Sequence, residues 1–77
     1  MIVKLYTTLG CHLCEQALAL LTELPIDLDI REIEISADEQ LLDTYGLRIP
    51  VVAITGRNSE LDWPFDVAQL AEFIAGR

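Results

Sequence analysis

Basic residues are scarce in this 77-residue chain, five against 13 acidic ones, for a net charge of −8. Lys and Arg displace the counterions of a phosphate backbone, so five scattered cations make no footprint for DNA or RNA. Long apolar runs are missing too: none approaches the roughly 20 residues that a membrane-spanning helix needs. Met1–Thr8 carries neither the apolar stretch nor the small-residue cleavage site of an export signal. The expectation is a cytoplasmic protein with no nucleic-acid and no membrane partner. Glycine and proline are few, four and three, in a chain that is 52% hydrophobic and 23% charged, which excludes the polar bias of disordered sequences. A chain of this length is expected to form a single small domain over residues 1–77, with a thin core. The acidic surface favours solubility and would draw basic partner surfaces toward it.

Cysteine is limited to two residues, and both lie in Cys11-His12-Leu13-Cys14. A disulfide-stapled secreted domain would spread more cysteines along the chain. A bond between these two would close a loop too short to constrain the unfolded chain much, so a structural staple explains the pair poorly. Structural disulfides are also uncommon in a reducing compartment. The pair is therefore expected to do chemistry.

The pattern along the chain predicts seven elements. Ile2–Tyr6 reads as a buried strand, followed by a short loop ending in Gly10. A helix is expected from about Cys11 to Leu24, with Leu13, Ala17, Leu20, Leu21 and Leu24 along one face and Pro25 as its stop. Apolar residues alternate at 26, 28 and 30 and again at 33 and 35, with a phase slip across Arg31-Glu32. The expected second strand is the later part, with a loop or bulge before it. Ser36 with Glu39 matches a capping box opening a short helix through Leu41, Leu42 and Tyr45, which Gly46 ends. Val51–Ile54 is a third strand, Glu60–Trp63 an antiparallel return, and Asp66 with Gln69 opens a last helix through Val67, Leu70, Ala71 and Ile74. The order β-α-β-α-β-β-α implies an α/β fold: a mixed four-stranded sheet with helices on both faces.

Placing Cys-x-x-Cys where a strand ends and a helix begins has a chemical consequence. The unpaired N–H groups of the first turn and the helix macrodipole both favour thiolate over thiol. A free thiol, with a pKa near ~8.5, is mostly protonated at neutral pH, whereas helix-start cysteines fall to ~3.5–7.5. Cys11, at the exposed edge, is the expected nucleophile. Cys14, one turn further in, is the expected resolving thiol. Glu15 suits the dipole but opposes a thiolate beside it. A zinc ribbon needs a second cysteine pair, and a c-type haem site needs His where Glu15 stands. His12 either tunes Cys11 when protonated or is a solvated loop residue. Arg48 either holds an anionic substrate or is solvated. Trp63 is a substrate platform or a cover for the core, Tyr6 and Tyr45 are core or site, and the acidic residues between 27 and 43 form a wet face.

Two stretches carry a family resemblance: Tyr6-Thr7-Thr8-Leu9-Gly10-Cys11-His12-Leu13-Cys14 after the first strand, and Arg48-Ile49-Pro50 before the third. With the element order they resemble the thioredoxin fold and, within it, the glutaredoxins. Thioredoxins carry Trp before the first cysteine and a buried Asp six residues before it; here those positions hold Gly10 and Leu5. The chain most resembles short, divergent bacterial glutaredoxin-like proteins with a Trp-Pro-Phe-Asp stretch, here Trp63-Pro64-Phe65-Asp66. The resemblance implies a cis Pro50 beside the redox pair, and an Ile49 backbone free to pair with an extended disulfide substrate. It implies an Asp66 that contacts the glutamyl end of glutathione. The chain departs from the glutaredoxin pattern at Cys-His-Leu-Cys, at Thr8 in place of a basic residue, and at Asp62-Trp63 in place of a Gly-Gly pair.

These readings give Cys11 and Cys14 as catalytic residues and Arg48, Ile49, Pro50, Asp66 and His12 as substrate-binding ones. The function expected is thiol–disulfide exchange by a monomer acting on protein or glutathione mixed disulfides. No cofactor or metal would be bound, and glutathione would be at most a co-substrate. The alternatives are a non-catalytic adaptor for a basic partner, and a thiol-ligated iron–sulfur or metal carrier.

Overall fold

The computed structural model describes residues 1–76. Its elements are β1 (Ile2–Thr7), α1 (His12–Glu23), β2 (Asp29–Glu34), α2 (Glu39–Tyr45), β3 (Val51–Ile54), β4 (Glu60–Asp62) and α3 (Val67–Ala75). One sheet runs β2-β1-β3-β4. β1 pairs in parallel with β2, from Ile2↔Asp29 to Thr7↔Glu34, and antiparallel with β3, from Val3↔Ile54 to Tyr6↔Val51. β4 returns antiparallel along β3. This is the mixed four-stranded α/β arrangement that the element order predicts.

Alternation along the strands splits the core in two. Val3, Leu5, Val52 and Ile54 face one way and bury against Ala17, Leu21 and Leu24 of α1, Leu70 and Ile74 of α3, and Phe65. Tyr6, Val51 and Ala53 face the other way and pack with Ile35 and with Tyr45 of α2. All four residues of β3 are buried, as a strand covered on both faces must be. Tyr6 and Tyr45 stack with ring centroids 3.9 Å apart, and both belong to the core. Trp63 packs partly buried on the larger core, edge-on to Phe65 at 5.0 Å.

β2 is the later part of its segment, as expected, with a loop before Asp29, and the same two-sidedness explains its apparent phase slip. There is no bulge: the strand pairs with β1 without interruption from Asp29 to Glu34. Leu28 and Ile30 pack toward α1 and α3, whereas Ile33 and Ile35 pack toward α2. What looked like a phase slip is one regular strand with apolar residues on each of its covered faces.

Two helix starts differ from expectation. In α1, Leu13 is 44% exposed, and the buried stripe is Cys14, Ala17 and Leu21, with Cys14 only 3% exposed. A cysteine packs as a small apolar residue, so it takes the inward position that spacing alone gives to Leu13. In α2 the N-cap is Asp38, whose carboxylate accepts the N–H groups of Gln40 and Leu41 at 2.8 and 3.2 Å. Ser36 instead lies in the preceding turn and donates its N–H to Glu34 at 3.0 Å. Gly46 ends α2 in a right-handed conformation; a Cβ there would stand 2.5 Å from the Leu42 carbonyl oxygen. The α3 capping box of Asp66 and Gln69 is present, with both bonds made, at 2.8 and 2.9 Å.

Candidate functional site

β1 ends at Thr7, and Thr8-Leu9-Gly10 carries the chain over to α1. Gly10 has φ +77°, a left-handed conformation that side chains disfavour, and it turns the backbone into Cys11. Cys11 is the N-cap of α1, and its Sγ accepts the N–H of Cys14 at 3.1 Å. The two sulfurs are joined in a disulfide. Cys11 is half-buried and Cys14 is buried beneath it, so only the first sulfur presents itself to a large partner. The N–H that now meets Cys11 Sγ is one of the unpaired donors of the first helical turn, and it would stabilise a thiolate at the same place.

Beside the sulfur pair lies a cleft of about 170 Å³, bordered by the Thr7–Cys11 loop, Cys14, Glu15 and Leu18 on one side and by Glu32 and Glu34 on the other. Glu34 organises the loop. One carboxylate oxygen accepts the Leu9 N–H at 2.9 Å and the other accepts the Ser36 N–H at 3.0 Å. The Ser36 N–H, the Thr8 hydroxyl and the Leu9 N–H hold the Glu34 carboxyl down at about 2. It is the residue that sequence reasoning missed, having been assigned to the wet acidic face. A signal was available: a parallel β1–β2 pair puts the C-terminal ends of both strands together, and Glu34 ends β2 opposite Thr7.

None of the remaining predicted residues borders this cleft, and His12 starts the same helix as the sulfur pair. His12 is exposed, with Nδ1 3.5 Å from Glu15 Oε2. Ile49–Pro50 is cis, and Pro50 is buried. Since Tyr6 pairs with Val51, the sheet register carries Pro50 alongside Thr7, at the end of β1 that feeds the redox loop. The Ile49 N–H, expected to be free for a substrate strand, donates to the Tyr45 carbonyl at 3.1 Å. The Pro50 carbonyl accepts the Trp63 N–H at 3.1 Å, tying this loop to the end of β4.

Arg48 is held by its own chain. Nε and Nη2 donate to the Asp62 carboxylate at 2.9 and 2.8 Å, and Nη2 also donates to Glu60 at 2.8 Å. Its guanidinium lies 5.1 Å from the centre of the Tyr45 ring. Tyr45 donates its hydroxyl to Glu60 at 2.5 Å; burial, then the bonds to Glu60 and Tyr6, push that phenol above its usual range. The hydrogen bonds from Arg48 keep Asp62 below the ordinary carboxylate range, and those from Tyr45 and Arg48 do the same for Glu60. The Asp66 carboxylate caps α3 by accepting the Gln69 N–H.

Among the described residues no group of three or more His, Cys, Asp and Glu is arranged to hold a metal ion, and no helix is long and apolar enough to cross a membrane.

Comparison with known proteins sets this geometry in a family. The family model described as the glutaredoxin-like domain (DUF836) matches residues 2–75. The crystal structure of the structural-genomics target XcR50 from X. campestris superimposes with a TM-score of 0.85 at 34% identity, covering 97% of each chain. The solution structure of that target gives a TM-score of 0.81 at 34% identity, over 100% of this chain and 96% of the other. No curated protein matches. With its Cys-x-x-Cys pair joined at the start of α1, this chain belongs to the glutaredoxin-like domain family.

Proposed function

We propose that the protein is a dithiol oxidoreductase that reduces protein or glutathione mixed disulfides in the cytoplasm, working as a monomer. The observation that carries this reading is the sulfur pair itself: Cys11 Sγ sits at the N-cap of α1 on the Cys14 N–H, with Cys14 buried behind it. In the reduced protein the Cys11 thiolate attacks one sulfur of a substrate disulfide and expels the other as a thiolate, which takes up a proton from water. Cys14 then loses its proton and attacks Cys11 Sγ, expelling the second substrate sulfur, which is protonated in turn. The substrate leaves as two thiols, having gained two electrons, and the protein is left with the Cys11–Cys14 disulfide. An external thiol reductant restores the dithiol.

Attack is made by the thiolate, which the N–H donors and dipole of a helix start favour over the thiol. The test uses single variants. Cys11→Ser is expected to abolish exchange, whereas Cys14→Ser should still form a mixed disulfide that accumulates. Equal loss in both variants would contradict the roles assigned to the two sulfurs.

A further inference from the structure

The cleft beside the sulfur pair is acidic on both walls. Glu32 and Glu34 stand two residues apart on β2, so both fall on the face of the sheet that α1 covers. They border the cleft together with Cys11 and Cys14, and Glu15 borders it from the first turn of α1. The Glu34 carboxylate meets neutral N–H donors, which fix its position and leave its charge uncancelled.

No basic side chain borders the cleft among the described residues. Arg31 is turned to Asp29 at 2.8 Å, Arg48 to Glu60 and Asp62 at 2.8 Å, and Arg57 to the Phe73 carbonyl at 2.8 Å. Lys4 alternates with Val3 and Leu5, which places it on the opposite face of the sheet. A thiol compound carrying free carboxylates would therefore meet like charge on both walls of the cleft, His12 being exposed outside its border with Nδ1 3.5 Å from Glu15. A cationic one would be drawn in, because a cleft with low-dielectric walls focuses the field of its charges.

Building on the thiol–disulfide reading above, we infer that Glu32 and Glu34 are specificity-determining residues for exchange at Cys11. They make the site prefer disulfides flanked by Lys or Arg, as in a basic protein segment, over those flanked by carboxylates, glutathione's included. The reaction is the one already written: the protein dithiol becomes the Cys11–Cys14 disulfide, and the peptide disulfide becomes two thiols. Selection acts on encounter and binding, so it is electrostatic in origin and sensitive to salt.

The experiment pre-reduces the whole chain, removes the reductant, and mixes it anaerobically with short peptides that contain one cysteine capped by β-mercaptoethanol as a disulfide. The peptides differ only in having Lys, Gln or Glu on either side of the cysteine. The expected order of single-turnover rates is Lys over Gln over Glu. A gap of about 10-fold or more between the extremes is expected at ~0.01 M ionic strength, closing to within about twofold near 1 M salt. Glu32→Lys should shrink or reverse the Lys-to-Glu rate ratio, and Glu34→Gln should lower it; Glu32 makes no hydrogen bond to the loop, so its variant separates charge from loop geometry.

Equal rates for the charged peptides, or faster reaction with the Glu peptide, would overturn the inference while leaving oxidoreductase activity intact. So would a wild-type ratio retained in Glu32→Lys. Failure to reduce even the Gln peptide would overturn the oxidoreductase reading, and the selectivity with it.

Discussion

Leu9 donates its backbone N–H to the Glu34 carboxylate at 2.9 Å, linking the loop that precedes Cys11 to the end of β2. Because the other oxygen takes the Ser36 N–H, one side chain fastens the turns that follow the two parallel strands. These bonds depress the carboxyl to about 2, so the linkage has a definite sign. A carboxyl bound more tightly in its ionised form when folded adds stability above its unfolded pKa of roughly 4.3, and the contribution disappears as pH falls toward 2. Glu34→Gln should therefore melt below the wild type at neutral pH, and the difference should close as pH drops from about 5 to 2. Thermal melts across that range check this; a difference independent of pH would mean that the charge of Glu34 is not what holds the loop.

The corrected inner face of α1 gives a second expectation. Leu21 is 1% exposed within the larger core, whereas Leu13 is 44% exposed. Leu21→Ala should cost about 2–5 kcal/mol, the lost transfer energy plus a cavity. Leu13→Ala should stay within about 0.5 kcal/mol, as surface substitutions do. Denaturant unfolding of both variants measures the contrast, and similar losses would contradict the inward stripe of Cys14, Ala17 and Leu21.

Much of this was legible in the letters. The element order, the apolar β3 and the Asp66–Gln69 cap follow from local pattern, and Cys-x-x-Cys marked the sulfur pair at the strand-to-helix junction. What failed to read through were matters of partnership between distant segments. The regularity of β2 was hidden because a strand covered on both faces loses the simple alternation that marks a half-buried one. Ser36 and Asp38 both offer a capping oxygen, and the carboxylate at 38 wins because Ser36 is held two residues earlier by Glu34. Arg48 read as a candidate anion holder because nothing in the sequence shows that Glu60 and Asp62, across the sheet, reach its guanidinium first. Glu34 looked like one more surface acid, and only the parallel pairing of β1 with β2 brings it to the redox loop.

The measurement that bears most directly on the whole account equilibrates the reduced protein with thiol–disulfide buffers of graded redox ratio, traps the free thiols, and weighs the products. The account predicts a reversible, two-electron conversion to a species lighter by two hydrogens, with the bond mapped between Cys11 and Cys14, at a poise within the range of cytosolic thiol buffers. Both thiols remaining free across that entire range would contradict it.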